Sequence, residues 1–287
     1  MIKWILLFYC AANNLFAAEA TLLSSYSWNN PDPAFGGFSS IHISNQGRTF
    51  LATSDKASFL SGQIIRKNDK IIKITEQNLT PLHNATKKPL KGKHADSEGI
   101  ALHPDGRIFV SFEGNHRIRV YHNRYATAKW VPKHPDFKSM QDNSSLEALA
   151  IDDLGQLYTI PERSGQKNKP FPVYRYNGQK WDKDFSIPRR GEFLVVGADF
   201  GPDGKFYLLE RHFQFPIGFI TRVRRFSLSS HGFHSEKVII ESSLGAHGNL
   251  EGISVWQDDQ SRIRVTLIAD DNFKFFQRTQ LVEYVVN

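Results

Sequence analysis

Five copies of one hairpin pattern, turns roughly fifty residues apart, and further strand-like runs behind each copy predict an all-β chain folded as a five-bladed β-propeller. The clearest copies read DSEGIALHPDGRIFVSFE from Asp96 and SSLEALAIDDLGQLYTIPE from Ser144. In each, an acid opens an apolar strand, a glycine turn follows, and a second strand closes on an acid. Glu98 to Glu113 and Glu147 to Glu162 are both 15 residues apart. VVGADFGPDGKFYLLE, from Val195, closes on Glu210 one residue sooner after its turn. NLEGISVWQDDQSRIRVTLIADDN runs from Asn249, and FSSIHISNQGRTFLATSD, the weakest copy, runs from Phe38. Gly47, Gly106, Gly155 and Gly204 are separated by 59, 49 and 49 residues, close to the roughly 40–50 residues of a four-stranded blade.

In chain order, Lys3, the apolar run Trp4–Ala12 and the small-x-small triplet Ala18-Glu19-Ala20 read as a secretory signal peptide over residues 1–20, cut before Thr21. The run is shorter than the roughly 20 residues that span a bilayer; a short buried strand is the competing reading. The mature domain is then 21–287, and its destination periplasmic or secreted. Behind the first hairpin come Gly62–Lys67 and Lys70–Glu76; behind the second, Arg117–His122. The third is followed by Val173–Asn177 and Gln179–Ser186, the fourth by Phe219–Ser227 and Lys237–Glu241. All are rich in β-branched and aromatic residues and bounded by turn residues. The fifth unit has only Gln280–Val286 and is short by a strand. Thr21–Trp28 has no partner of its own and would supply it, closing the ring without an open edge. Six blades is the competing count, because the insert Leu79–Ala95 is long.

Composition narrows the classes. With 40% apolar and 13% aromatic residues the chain is not disordered. Cys10, the single cysteine, falls in the expected leader, so a disulfide framework, a cysteine zinc site and thiol catalysis are excluded from the mature domain. The net charge of +7 is modest and no nucleic-acid recognition module is visible, so nucleic acid is not an expected partner. Neither is a membrane span, and a monomer is expected.

In an antiparallel hairpin the start of the first strand and the end of the second share one end. That gathers Glu98, Glu113, Glu147, Glu162, Glu210, Glu251 and the Asp270-Asp271-Asn272 cluster on one face, with the opening acids lining the central channel. Crowded carboxylates raise one another's pKa values unless cations are present. A hard metal such as calcium, with 6–8 oxygen ligands, or Arg163, Arg211-His212 and Arg117 would neutralise them. In the competing reading the acids bind backbone amides at blade junctions, and Asp270-Asp271-Asn272 makes a tight turn.

The chain resembles the bacterial "esterase-like activity of phytase" family, the phytase-like domain, over nearly all its mature length. The resemblance is carried by DSEGI (Asp96–Ile100) with Ser111-Phe112-Glu113, LEALA (Leu146–Ala150) with IPERSG (Ile160–Gly165), and GADFGPDGKFYLLER (Gly197–Arg211) with RVRRF (Arg222–Phe226). NLEGIS (Asn249–Ser254), DDNF (Asp270–Phe273) and QRTQLVEY (Gln277–Tyr284) complete it. The family pattern carries Glu where this chain has Asp199. The resemblance implies ester hydrolysis; by likeness to calcium-dependent propeller phytases, it also implies Ca2+ held by the channel acids. Glu98, Glu147, Asp199 and Glu251 are then the expected catalytic residues. Glu98, Glu113, Glu147, Glu162, Glu210, Glu251, Asp270 and Asp271 are the expected metal ligands. Arg163, Lys167, Arg211 and His212 would bind a phosphate ester or other small anion, and Lys87, Lys88, Lys91, Lys93, Arg189 and Arg190 are further basic candidates.

No G-x-S-x-G elbow, HExxH, phosphate loop or dinucleotide fingerprint occurs. Of the 11 histidines, His94, His212 and His247 fall near the expected site face. The sequence thus points to an exported, metal-assisted hydrolase of phosphate esters. The alternatives are an exported propeller that binds a ligand or protein through its charged funnel without turnover, and a purely structural ring.

Overall fold

The computed structural model describes residues 19–141 and 144–287. The expected leader lies outside them except for Glu19 and Ala20. Five sheets form a ring. Blade 1 holds strands Phe38–Ser44, Thr49–Ser54, Ser58–Lys67 and Lys70–Glu76. Blade 2 holds Ser97–Leu102, Ile108–Phe112, Arg117–Tyr121 and Lys129–Trp130. Blade 3 holds Ala148–Ile151, Leu157–Ile160, Phe171–Tyr176 and Trp181–Ile187. Blade 4 holds the longer strands Leu194–Phe200, Phe206–Gln214, Gly218–Ser229 and Gly232–Glu241. Blade 5 holds Asn249–Gln257, Ile263–Asp270 and Gln280–Val286, and its outer strand is Ala20–Ser27 from the other end of the chain.

The ring therefore closes as the sequence predicts. Ala20 pairs with Val286 and Ser27 with Gln280, with one bulge between Leu22 and Ser24. The strand begins at Ala20, one residue ahead of the expected cut, and Glu19 pairs with Lys237 at 3.1 Å. Across the seam, the guanidinium of Arg66 in blade 1 donates to the fully buried carboxylate of Glu283 in blade 5. The insert does not form a sixth blade. Its strand Thr80–Pro81 adds to the blade 1 strand Ser58–Lys67, and Leu82 and Leu90 pack beside Phe59 and Ile100, sealing the junction of blades 1 and 2.

The first hairpins form because their turns are chemically specified. Asp105, Asp152, Asp203 and Asp258 each accept the backbone N–H two residues on, the side-chain mimic of a turn. Gly106, Gly155 and Gly204 have φ of 89°, 77° and 69°, a region other residues avoid. The inner strands are buried at successive positions, because each blade packs both faces against its neighbours. Among the described residues the core is accordingly five clusters, one per blade junction, such as Val196, Leu209, Leu250 and Leu267 between blades 4 and 5.

The innermost strands surround the axis. Their spacing is tight: a Cβ on Gly252 would lie 2.7 Å from the Cα of Ser40 on the next blade, so only glycine fits. At the level of Glu147 and Glu251 the inner strands leave a cavity of about 10 Å³ among Ile100, Leu149, Val196 and Ile253, no more than one water. Among the described residues no helix is long and apolar enough to cross a membrane.

The closing strand makes seven Cα-register pairs with blade 5. At about 0.5–1 kcal/mol per ladder bond, its loss should cost roughly 3–6 kcal/mol. A chain starting at Trp28 is expected to melt about 6–20 °C below one starting at Glu19. Equal melting temperatures would show that the ring does not depend on this closure.

Candidate functional site

The site is built by a bulge repeated around the ring. In four inner strands the ladder slips by a residue at one level: at Ser39, at Glu98-Gly99, at Val196 and at Glu251. A bulge leaves its extra residue unpaired and re-aims the side chain, here turning Glu98 and Glu251 to the funnel mouth. Glu147 stands at the equivalent level, just ahead of the blade 3 strand Ala148–Ile151. The second strands close at this level with Asp55, Glu113, Glu162, Arg211 and Asp270 in blades 1 to 5.

This register corrects the reading of Glu210. Counted by the 15-residue interval of blades 2 and 3, the bulge residue Val196 corresponds to Arg211, whose register partner is Leu194, and not to Glu210, which pairs with Val195. Side chains alternate along a strand, so a shift of one residue sends Glu210 to the other face. There it is fully buried, taking Nε of Arg222 at 2.9 Å and of Arg224 at 2.8 Å on one oxygen, and Nη2 of Arg224 at 2.6 Å on the other. Two guanidiniums occupy both oxygens, and Glu210 is not placed to ligate a metal in the funnel. Asp199 is also outside the site. It pairs with Tyr207 toward the far end of its strand. Its oxygens accept N–H of Phe200 at 2.9 Å and of Val255 in blade 5 at 2.7 Å, so it ties two inner strands together. Burial pushes its pKa up to about 7. Asp271 is a turn residue, accepting N–H of Gly37 and Phe273 on one oxygen and the hydroxyl of Thr279 on the other.

The remaining acids converge. One oxygen each from Asp96, Glu98 and Glu113 lie within 4.8 Å of one another. Asp96 acts on Glu113 and Glu98, and Glu147 on Glu113, at short range. Carboxyl groups crowded in this way favour keeping a proton unless a cation is present. Burial, then the charge of Glu251, holds Glu98 well above the usual carboxylate range; burial, then Glu98 and Glu113, does the same to Glu147. Glu113 is pushed up to about 7 by burial and Asp96, Asp55 to about 7 and Asp270 to about 8, chiefly by burial. Oδ1 of Asp55 is buried with no hydrogen-bond partner among the described residues. Asp55 and Asp96 were missed as candidates. Asp55 closes the weakest repeat copy, and Asp96 precedes Glu98 by two residues in DSEGI.

Arg211 is the cation of the funnel. It donates to Glu251 and to Oδ1 of Asn249, and lies 3.5 Å from Glu162. Burial opposes its charge, but Glu251, Glu147, Glu162 and Glu98 more than offset this and hold its pKa above the usual value. Arg117 instead holds the carbonyls of His94 and Gly114 over the ring of Phe112. The junctions between blades 1, 2 and 3 are stitched by serines: Ser97 donates to the carbonyl of Ser54, and Ser145 to that of Glu113.

Arg163, Lys167 and His212 line one open cleft of about 380 Å³ between blades 3 and 4, together with Arg189. Arg163 also donates to Glu162 at 3.1 Å, so the cleft adjoins the funnel through the chain Arg163, Glu162, Arg211. Arg190 pairs with Glu236 away from it, Lys87, Lys88, Lys91 and Lys93 are exposed on the insert, and His247 contacts the hydroxyl of Tyr284 at 2.9 Å. Chemically, the funnel is an all-oxygen donor set suited to a hard cation. Ligands 2.3–2.6 Å from one ion are separated by up to about 5 Å, which the Asp96–Glu98–Glu113 oxygens satisfy.

The sequence matches the profile of the family described as "Phytase-like: Esterase-like activity of phytase" over residues 33–273. No curated protein sequence matches the chain. The fold is similar to the α-L-arabinofuranosidase PaAbf62A from Podospora anserina solved with cellotriose, at TM-score 0.56 and 12% identity over 94% of this chain and 98% of that one. It is also similar to a bifunctional GH43-CE protein of Bacteroides eggerthii, at TM-score 0.50 and 12% identity, over 90% of this chain and 34% of that one. At this identity the likeness is one of fold.

Two outcomes follow from the geometry. Glu210→Gln leaves buried guanidiniums uncompensated and should cost about 3–5 kcal/mol of stability in chemical denaturation; a cost below about 1 kcal/mol would return Glu210 to the pool of available ligands. The raised carboxyls bind protons more tightly folded than unfolded, so their contribution is complete below the unfolded value and lost as pH climbs through the native one. In chelator, stability should therefore fall from about pH 4, where these carboxyls ionise in the unfolded chain, to about pH 8, where the native Asp270 does. A flat profile would contradict the raised carboxyl pKa values.

Proposed function

The chain belongs to the phytase-like family, described by its esterase-like activity of phytase, and from that premise we propose that it is an exported, cation-assisted hydrolase of phosphate esters. The observation that carries the reading is the convergence of Asp96, Glu98 and Glu113 at one level of the ring, on the face that also carries a basic cleft between blades 3 and 4. These three acids are the proposed holders of a calcium ion. When bound, such an ion supplies positive charge for an anionic ester and acidifies water.

The protein's own groups divide the remaining work. Arg163, half exposed at the cleft, and Arg189 meet the phosphate, and Lys167 flanks them. Arg211 is fixed by Glu251 and Asn249 and keeps the blade 4 side of the funnel positive. Glu147, buried and with its pKa raised by burial and by Glu98 and Glu113, is the proposed acid that exchanges a proton with the reacting group or water. Glu251 and Asn249 act through Arg211 as positioning residues. Export rests on the reading of residues 1–20 as a leader, and the mass of the protein recovered from the medium or periplasm tests it.

The decisive experiment is calorimetric titration with calcium beside hydrolysis of phytate, an aryl phosphomonoester and a short carboxyl ester. The wild type should bind calcium with release of protons, since ligand carboxyls must ionise, and should turn over a phosphate ester only without chelator. Glu98→Gln should lose both. Glu147→Gln should retain calcium and lose turnover by roughly 10²–10⁴-fold. Turnover unaffected by chelator, or none by calcium-loaded wild type, would contradict the proposal; the second result would favour a propeller that binds without catalysis.

A further inference from the structure

A cavity of about 630 Å³ lies between blades 4 and 5, on the funnel face. It takes no part in the chemistry above. Its walls come from two projections. The second and third strands of blade 4 run past Arg211 into a hairpin that carries Phe213, Ile217 and Phe219, and the blade 5 loop after Asp270 carries Phe276. Both arise at the funnel end of their strands, because Arg211 and Asp270 occupy the closing level. Phe213, Ile217 and Phe276 are 52%, 67% and 66% exposed, an apolar patch that gains nothing for the fold by facing water. The volume falls within the roughly 300–1,000 Å³ of small-molecule sites.

Two features say what fits there. First, the cavity is continuous with the funnel. Asn249 lines it and also accepts from Arg211 and donates to Glu251 at 2.8 Å. Phe213 lines both this cavity and the basic cleft of Arg163, Lys167 and His212, so one ring forms the ridge between them. Second, the rim carries Lys274 and Arg278, which suits a ligand with an anionic end rather than a neutral hydrocarbon. We infer that this cleft is the subsite for the apolar alcohol portion of the ester, so that the protein selects aryl or alkyl phosphate monoesters over phosphorylated polyols. A polyol would instead set its hydroxyl groups against Phe213, Ile217 and Phe276, which offer them no hydrogen-bond partners. The inference rests on the hydrolase reading for its substrate class, but the cleft's preference is a binding property and is tested apart from turnover.

The test is calorimetric binding of two hydrolysis-inert probes, 1-naphthylmethylphosphonate and methylphosphonate, to the full protein in calcium. Burying the aryl group should make the naphthyl probe bind at least about tenfold tighter. In the double variant Ile217→Ala/Phe276→Ala, both sites being largely exposed, the two probes should bind alike at an unchanged melting temperature. Equal affinities in wild type, no binding of either probe, survival of the naphthyl advantage in the variant, or loss of both probes from it would each overturn the inference. If the advantage is present and depends on these side chains while 1-naphthyl phosphate is not turned over, the subsite stands and the hydrolase reading falls.

Discussion

The structure turns on the repulsion among carboxyl groups that the ring brings to one level. Each blade places two side chains at the funnel mouth, one at the bulge of its inner strand and one at the close of its second. Blades 2, 3 and 5 fill both positions with acids. Blade 4 fills them with Val196 and Arg211, and the guanidinium reaches Glu162 on one neighbour and Glu251 on the other. One half of the funnel is thereby neutralised by the protein itself. The other half, Asp96, Glu98, Glu113, Asp55 and Asp270, has pKa values raised chiefly by burial, which favours protonated carboxyls there. Protons held in that way are exchangeable for a cation. The asymmetry, more than the number of acids, makes this half a site.

The same asymmetry organises the surrounding face. The inner strands pack closely around the axis at the level of Glu147 and Glu251, leaving room for no more than one water. The basic cleft and the aromatic cleft flank the mouth on either side of Phe213. An anionic group, an apolar group and a candidate cation site thus have separate places within one region, each supplied by different blades. The extended strands of blade 4 are what add the aromatic side.

Much of this was legible in the residues. Hairpin repeats and their turn glycines give the blades, because Asx turns and positive φ are written locally. The stray strand at the N-terminus gives the closure, because an unpaired edge must be covered. The insert Leu79–Ala95 was ambiguous by length alone; Leu82 and Leu90 resolve it by packing under the blade 1 and 2 junction. The site was harder to read. A bulge adds a residue without a sequence mark, and in a period of two a single residue decides which face a side chain takes. Glu210 is therefore drawn to the funnel alongside Arg211, although the constant interval of 15 residues selects Arg211 alone. Asp199 was drawn there by a family pattern, whereas its two hydrogen bonds to backbone amides come from a strand distant in sequence. Asp55 escaped because its repeat opens with serines, so the hairpin lacks the acid that marks the others.

The central claim is that Asp96, Glu98 and Glu113 hold a divalent cation where Arg211 does not reach. Anomalous diffraction from crystals soaked in a calcium-mimicking lanthanide such as terbium tests it most directly. The account predicts a single dominant peak within ligand distance of these three side chains in the wild type, absent in Glu98→Gln. A peak elsewhere on the ring, or an empty funnel at saturating ion, would contradict it.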